Sequence, residues 1–187
     1  MPRISGVTLE DASDQLRKTY AGIERVYGKM LDPISVAAHS PGVLTAMLAF
    51  ERGIREASAL DAKMKQLVNL KTATLIGCPF CIDIGSAESL EAGVTAEQVQ
   101  ALHEHETSSA FSSEERIVLD YAVAMTRTPL VVEDAFFDRL RSHFSEAQLV
   151  ELTATIAWEN FRSRFNHAFG IKAHGFAENG VCALPAP

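Results

Sequence analysis

The chain has 187 residues, of which 47% are hydrophobic and 22% charged, and its formal net charge is -7. This length and composition fit one globular domain whose core needs no disulfide framework and no structural metal. The acidic balance and the lack of a Lys/Arg-rich run exclude nucleic-acid binding as a first hypothesis, because such proteins usually present a basic face.

The chain begins without an apolar segment typical of a secretory signal, since residues 1–6 read MPRISG. No stretch of about 18 apolar residues predicts a transmembrane helix. We therefore expect a cytoplasmic protein without a membrane partner.

Helix signals recur along the whole chain, whereas no alternating β-branched run predicts a strand. Apolar residues repeat at the spacing of an amphipathic helix, and prolines follow Asp32 and Ser40 where a helix start tolerates them. Capping-box spacing joins Thr95 to Gln98, Ser112 to Glu115, and Ser145 to Gln148. We predict an all-α compact bundle of about eight helices, near 8–27, 41–58, 61–76, 79–92, 96–105, 113–127, 133–143 and 146–167, with a short turn after Pro33.

The chain is predicted to form one domain over residues 1–187. A core at about 41–105 carries two of the three cysteines, and a second helical half follows at about 111–175. The polar loop between them places His103 and His105 among glutamates, where we expect both rings to be solvated. The last residues, which include Cys182, are expected to fray.

Helices 61–76 and 79–92 are apolar around most of their circumference. Such helices belong in the middle of a bundle or at a subunit interface. Since a small monomer rarely leaves large apolar patches open, we predict a homo-oligomer.

Two cysteines occupy the predicted start of the helix at 79–92. Gly77 ends the preceding helix, Cys78 is the N-cap, Pro79 is the first helical residue, and Cys81 lies in the first turn. Backbone N–H groups and the positive end of the helix dipole stabilise a thiolate there, which lowers the pKa of a cysteine. Two intervening residues also allow a disulfide to close without a change of backbone. The pattern predicts a redox-active pair.

Packing and metal binding are the alternatives for this pair. A free cysteine is a common core residue. Zinc would need about two more ligands, for which the sequence offers His174 and Cys182 at loose spacing. We predict no metal and no cofactor.

The segments 60–70 (LDAKMKQLVNL), 77–87 (GCPFCIDIGSA) and 93–99 (GVTAEQV) together resemble the carboxymuconolactone decarboxylase / alkyl hydroperoxidase D (AhpD-like) family. The resemblance continues in 113–122 and 162–170 and covers roughly residues 10 to 175. It implies an all-helical fold, homo-oligomers and thiol-dependent reduction of peroxides. It also implies that Cys81 is the attacking thiolate and Cys78 the resolving cysteine.

Two positions depart from the redox branch of this family, which commonly has a relay Glu before the cysteines and a relay His after them. Those positions are Gln66 and Gly85 here. Glutamine does not take up a proton at neutral pH, and glycine has no side chain to do so. The possible supporting residues are Gln66, which can position a water molecule, and His143 and His167 from the second half.

Other residues near the pair have simpler interpretations. Asp83 is expected to point away from Cys81 as a first-turn carboxylate, and Ser86 and Glu88 are expected at the surface or in a cap. The aromatic group Trp158, Phe161 and Phe165 is expected in the core, with a pocket wall as the alternative.

Together these features favour a thiol-dependent, alkylhydroperoxidase-like peroxidase or a disulfide oxidoreductase. Its partners would be an organic hydroperoxide or disulfide substrate and an external dithiol reductant. The missing relay keeps a second class open, a redox sensor or oligomerisation switch without turnover. A third hypothesis is a thiol-independent, decarboxylase-like activity on a small lactone acid.

Overall fold

The structure is a computed structural model that describes residues 2–178 and 180–183. Over these residues the chain forms nine α-helices, one 3₁₀ turn and no strand, which confirms the all-α prediction. The α-helices are α1 (Asp14–Tyr27), α2 (Asp32–Ala37), α3 (Pro41–Glu56), α4 (Ala62–Ile76), α5 (Pro79–Glu91), α6 (Ala96–Gln100), α7 (Ser113–Thr126), α8 (Asp134–His143) and α9 (Glu146–Phe169). None of the helices in these ranges is long and apolar enough to span a bilayer.

The helix boundaries follow the predicted capping residues. All three capping boxes form, at the starts of α6, α7 and α9. Gly77, which was predicted to end a helix, and Gly93 both adopt a left-handed backbone, with φ of 75° and 90°.

Three boundaries differ from the prediction. The first helix starts at Asp14 instead of residue 8, because the Ser13 side chain accepts a hydrogen bond from the Leu16 N–H and caps it. The turn expected after Pro33 is the short helix α2. The helix expected at 96–105 ends at Gln100 and continues as the 3₁₀ turn Ala101–Glu104, a common way for an α-helix to terminate.

Helix α4 lies at the centre of the bundle and packs against α5, α7 and α9. Leu67, Val68 and Leu70 are each 0% exposed. Leu67 and Leu70 belong to the core cluster that holds the cysteines, whereas Val68 belongs to the cluster between α7, α8 and α9. The predicted central position of an all-round apolar helix is therefore confirmed.

A single chain already covers most of the apolar surface of α4 and α5, with the exception of Leu75 and Leu90, which are partly open. The uncovered faces that suggested an assembly are thus smaller than the sequence indicated. The homo-oligomer stays a prediction.

Candidate active site

The cysteine pair lies where α4 turns into α5. Gly77 ends α4, Cys78 is the N-cap of α5, and Pro79 is its first residue, as predicted. The Cys81 N–H donates to Cys78 Sγ at 3.2 Å, and the two sulfurs form a disulfide between Cα atoms 5.4 Å apart. Both sulfurs therefore lie at the positive end of a helix, where a thiolate is stabilised.

The two sulfurs differ in what they face. Cys78 is 0% exposed, whereas Cys81 is 7% exposed and lines a cavity of about 120 Å³. Cys81 is therefore the cysteine of the pair that a molecule inside the cavity would meet first.

The cavity is enclosed mainly by apolar side chains from α1, α2, α3, α5 and α9. They include Ile23, Ile34, Met47, Phe80, Ile84 and Trp158. Of the aromatic residues expected in the core, Trp158 is buried and lines the cavity, but Phe161 is 43% exposed. The placement of Phe161 in the core was wrong, because its position on α9 faces outward beside the Trp158 ring, on which it stacks.

Three carboxamide side chains line the cavity, and one of them contacts the sulfur of Cys81. The Asn166 amide Nδ2 donates to Cys81 Sγ at 3.2 Å, and Gln66 and Asn69 line the same cavity. The amide oxygens of these three residues are buried and have no hydrogen-bond partner within the described chain. Because unpaired buried oxygens are rare in folded proteins, the cavity suits a ligand or water that donates hydrogen bonds.

Charged residues also line the cavity. The Arg162 guanidinium binds Glu51 at 2.8 Å and also contacts Glu159. The Trp158 Nε1–H donates to Glu51 at 2.7 Å, and the Ser163 hydroxyl donates to Glu159 at 2.6 Å. These contacts join α3 to α9 beside the cavity.

The carboxyl groups of this cluster have opposite pKa shifts. Burial alone would raise the pKa of Glu51, but Arg162 and the Trp158 N–H outweigh it, so the pKa of Glu51 is lowered. Burial raises the pKa of Glu159 above its usual value, although Arg162 and Ser163 oppose the shift. Glu51 is thus held as a carboxylate. The ionised form of Glu159 is stabilised by the positive charge of Arg162.

Glu88 also lines the cavity, two turns after Cys81 on α5. It is half-buried, and its nearest cation is Arg55, at 3.8 Å. Burial raises the pKa of Glu88, and the Arg162 and Arg55 charges oppose this only in part. Glu88, expected at the surface or in a cap, is therefore partly open, since its side chain lines both the cavity and an outer basin beside it.

Of the three predicted supporting residues, one lies at the cavity and two do not. Gln66 lines the cavity, as does Gly85, the other departure from the family pattern. His143 lies at the end of α8, 3.9 Å from Glu114, and His167 is exposed in the last turn of α9. The structure does not bring either histidine to the cavity.

Asp83 and Ser86 have roles that the sequence did not indicate. The Asp83 carboxylate is 4% exposed and accepts hydrogen bonds from the backbone N–H groups of His174 and Ala177. Ser86 is fully buried and accepts a hydrogen bond from the Ala183 N–H, so its placement at the surface was wrong. These two residues fix the segment after α9 against α5.

The segment after α9 is therefore packed where it is described. Cys182, expected in a frayed tail, is half-buried against the core cluster, and residues 184–187 of that tail lie outside the described residues.

His105 is not solvated as expected. It is 2% exposed, and its Nε2 lies 3.0 Å from Asp120 Oδ1. Burial and the nearby Lys71 ammonium lower the pKa of His105, although Asp120 opposes them. The alternation with glutamate misled the sequence interpretation, because Asp120 on α7 pairs with the ring.

Sequence reasoning missed Asn166 and the charged cluster, although their spacing indicates that they share one helix face. Glu159, Arg162 and Asn166 follow each other at three and four residues on α9, and Glu88 follows Cys81 by seven on α5. Residues at these intervals share one helix face. A polar stripe on an otherwise buried helix is the pattern that predicts a lined cavity.

The comparisons with known proteins agree with this architecture. The model of the carboxymuconolactone decarboxylase family matches residues 41–124. The Escherichia coli (strain K12) protein YnjA, described as uncharacterized, is 36% identical over 162 residues, which are 86% of each chain. The chain belongs to the carboxymuconolactone decarboxylase family.

Solved structures show the same AhpD-like fold. The apo structure of the debrominase Bmp8 aligns over 92% of each chain with a TM-score of 0.81 and 24% identity. A cysteine-to-alanine variant of Bmp8 in complex with 2,3,4-tribromopyrrole aligns over 89% of each chain with a TM-score of 0.78. An alkylhydroperoxidase AhpD core from Ralstonia eutropha JMP134, a peroxidase-related protein, aligns over 92% of each chain with a TM-score of 0.83 and 17% identity. This fold of the carboxymuconolactone decarboxylase family thus carries more than one activity.

Proposed function

We propose that this protein is a dithiol oxidoreductase that reduces a small, apolar hydroperoxide at Cys81. The observation that carries the proposal is the position of Cys81, which lies at the start of α5 beside Cys78 and lines an apolar cavity. A helix start favours the thiolate, and the thiolate is the nucleophile that peroxides oxidise.

The reaction has two steps inside the protein. The Cys81 thiolate attacks the outer oxygen of the hydroperoxide, the O–O bond breaks, and the alkoxide that leaves takes up a proton to become an alcohol. Cys78 then attacks the sulfur of the Cys81 sulfenic acid, which forms the disulfide and releases water. An external dithiol restores both thiols by exchange.

The size of the cavity limits the substrate. Cavities of about 150 Å³ hold a benzene ring, so a cavity of about 120 Å³ suits a short alkyl hydroperoxide better than a lipid hydroperoxide. The Asn166 amide stabilises the Cys81 thiolate, because a donor near a sulfur anion lowers the pKa of the thiol.

The test is a thiol count after reduced protein meets excess tert-butyl hydroperoxide. The wild type holds three thiols, and we expect it to lose two while Cys182 stays free. Cys81→Ser should lose none, Cys78→Ser should give a sulfenic acid at Cys81 that dimedone traps, and Cys182→Ser should behave like the wild type. Three thiols remaining after long exposure would refute the proposal.

A second candidate is reductive dehalogenation, which the apolar wall and the fold shared with debrominase Bmp8 favour. In that reaction a carbon–halogen bond breaks, the carbon gains hydrogen, halide leaves, and the two thiols become the disulfide. Halide release from a bromopyrrole in step with thiol loss would support it over the peroxidase.

The remaining alternatives have their own readouts. A redox sensor would change its size-exclusion profile between the oxidised and reduced forms without catalytic turnover. A thiol-independent activity on a lactone acid would survive in the double variant Cys78→Ser/Cys81→Ser.

A further inference from the structure

Reduction of an alkyl hydroperoxide needs an acid, because an alkoxide is a strongly basic leaving group. Gln66 and Gly85 supply none. We propose that Glu88 is the general acid of this site. It delivers its proton through a water molecule that lies in the cavity next to Gly85. This inference rests on the proposed function and adds a residue that the family resemblance does not name.

The helix geometry places Glu88 on the right face. Cys81 and Glu88 are separated by seven residues on α5, about 10 Å along the axis, and both line the cavity. Side chains on a helix lean toward its N-terminus, which is the end of α5 that carries Cys81, and the Glu88 carboxyl lies 3.8 Å from the Arg55 guanidinium. A peroxide bound at Cys81 would occupy the cavity between Cys81 and Glu88.

Gly85 keeps that space open. It lies four residues after Cys81, on the same face, and lines the cavity. A Cβ added at Gly85 would meet only Leu70 Cδ1, at 3.5 Å, so no backbone fills the gap. A water molecule needs only about 10–15 Å³ of such space.

The bonding of the three cavity carboxyl groups distinguishes Glu88 from the others. Glu51 is held ionised by Arg162 and Trp158, and the oxygens of Glu159 accept from Arg162 and Ser163. Over the residues that the structure describes, neither oxygen of Glu88 has a hydrogen-bond donor, so one oxygen is free to carry a proton.

The charges that face Glu88 come from three other helices and from α5 itself. Its burial favours the protonated form, Glu51 and Glu91 favour it further, and Arg162 and Arg55 oppose it. The groups concerned are Tyr27 on α1, Glu51 and Arg55 on α3, Glu91 on α5, and Arg162 on α9. Glu88 also lines an outer basin next to the cavity, through which water can restore its proton.

The protons balance over one turnover. Glu88 loses its proton to the alkoxide as the O–O bond breaks and becomes a carboxylate. Cys78 and the Cys81 sulfenic acid then form the disulfide and one water, which consumes no further proton. The carboxylate regains its proton from solvent.

The experiment compares Glu88→Gln with Glu97→Gln, which removes an exposed carboxyl on α6 that lines neither the cavity nor the outer basin. We expect Glu88→Gln to slow single-turnover oxidation by tert-butyl hydroperoxide about 100-fold, and Glu97→Gln to match the wild type. The wild-type rate should fall at high pH where Glu88 ionises, and Glu88→Gln should lack that fall.

Two further reagents isolate the proton. Peracetic acid releases acetate, whose conjugate acid has a pKa of about 5, so its reduction needs no general acid and should be nearly unchanged in Glu88→Gln. Iodoacetamide alkylates the Cys81 thiolate and should react equally fast with the variant and the wild type.

Wild-type behaviour of Glu88→Gln toward tert-butyl hydroperoxide would overturn the inference and leave the peroxidase proposal intact. Equal slowing with all three reagents would also overturn it, because it would indicate a damaged site. Wild-type thiols that resist both oxidants would instead refute the proposed function itself.

Discussion

Asn166 donates a hydrogen bond to Cys81 from the opposite side of the cavity, in addition to the backbone at the start of α5. Hydrogen bonds to a charged partner contribute about 1.5–3 kcal/mol, and one pKa unit corresponds to about 1.4 kcal/mol. The Asn166 side chain on α9 thus places a hydrogen-bond donor at the sulfur of Cys81 on α5.

Asn166→Leu removes this donor while it keeps a similar shape. We expect the pKa of the Cys81 thiol to rise by about 1–2 units, because only the thiolate gains from the amide. The measurement is the pH dependence of iodoacetamide alkylation in reduced protein. His167→Gln and His143→Gln are the controls, and a change in either variant equal to that of Asn166→Leu would give these histidines a role that their positions do not indicate.

At the scale of residues, the sequence predicted the positions of residues whose place depends only on local backbone rules. Gly77, Cys78 and Pro79 lie at their predicted positions because each position is a matter of helix capping. Asn166 and Arg162 could not be found in this way, since their roles depend on how α9 is rotated against α5. That rotation is decided by tertiary packing, which local propensity does not encode.

At the scale of elements, α5 has two faces with different contacts. One face carries Cys81 and Glu88 along the cavity, and the other carries Asp83 and Ser86, which hold the segment after α9. The ring of His174 in that segment lies edge-on against Phe80, a wall residue of the cavity. The segment therefore supports the cavity from outside.

Asp83→Asn replaces a carboxylate that accepts two backbone hydrogen bonds by an amide with one accepting oxygen. We expect the free energy of unfolding to fall by about 1–3 kcal/mol and the segment to open locally, because at least one buried N–H loses its partner. Limited trypsin digestion at the exposed Lys172 should accelerate, and so should alkylation of Cys81 in reduced protein.

Asp134→Asn is the matched control, because Asp134 is an exposed first-turn carboxylate of α8. Equal digestion rates for Asp83→Asn and the wild type would mean that the segment is held by other contacts, such as the Lys29 hydrogen bond to the His174 carbonyl.

The elements were predictable from sequence to a large extent. Capping boxes and apolar periods gave most helices within a few residues, because these signals are local. The packing of the segment after α9 was not predictable, since it depends on Asp83, whose partners lie 91 and 94 residues away.

At the scale of the whole molecule, Arg162 links the helices that enclose the cavity. It binds Glu51 on α3 and Glu159 on α9, and its charge acts on Glu88 on α5. The Arg162 side chain is 26% exposed and that of Glu159 only 3%, so the pair is largely removed from water. Removal of one partner of a buried pair leaves an uncompensated charge, which costs about 3–5 kcal/mol.

Arg162→Met is therefore expected to lower the free energy of unfolding by about 3–5 kcal/mol at pH 7. The loss should depend on pH in a defined direction. Glu159, whose pKa burial raises, favours the folded state only while protonated, and its contribution is lost as pH rises through its folded pKa. Glu51, whose pKa is lowered, stabilises the fold above its ordinary pKa of 4.5 through Arg162. Both effects make the difference between Arg162→Met and the wild type large at neutral pH and progressively smaller as pH falls from 4.5 through the lowered pKa of Glu51.

Urea unfolding at pH 7 and pH 4 measures both quantities. Arg127→Met, which removes an exposed arginine, should match the wild type at each pH. The double variant Arg162→Met/Glu159→Gln should recover part of the loss at pH 7, because a neutral amide at position 159 does not need a cation. A deficit of Arg162→Met that is equal at both pH values would show that the side chain contributes by packing instead of by charge, and Glu159 would then not need Arg162 in order to ionise.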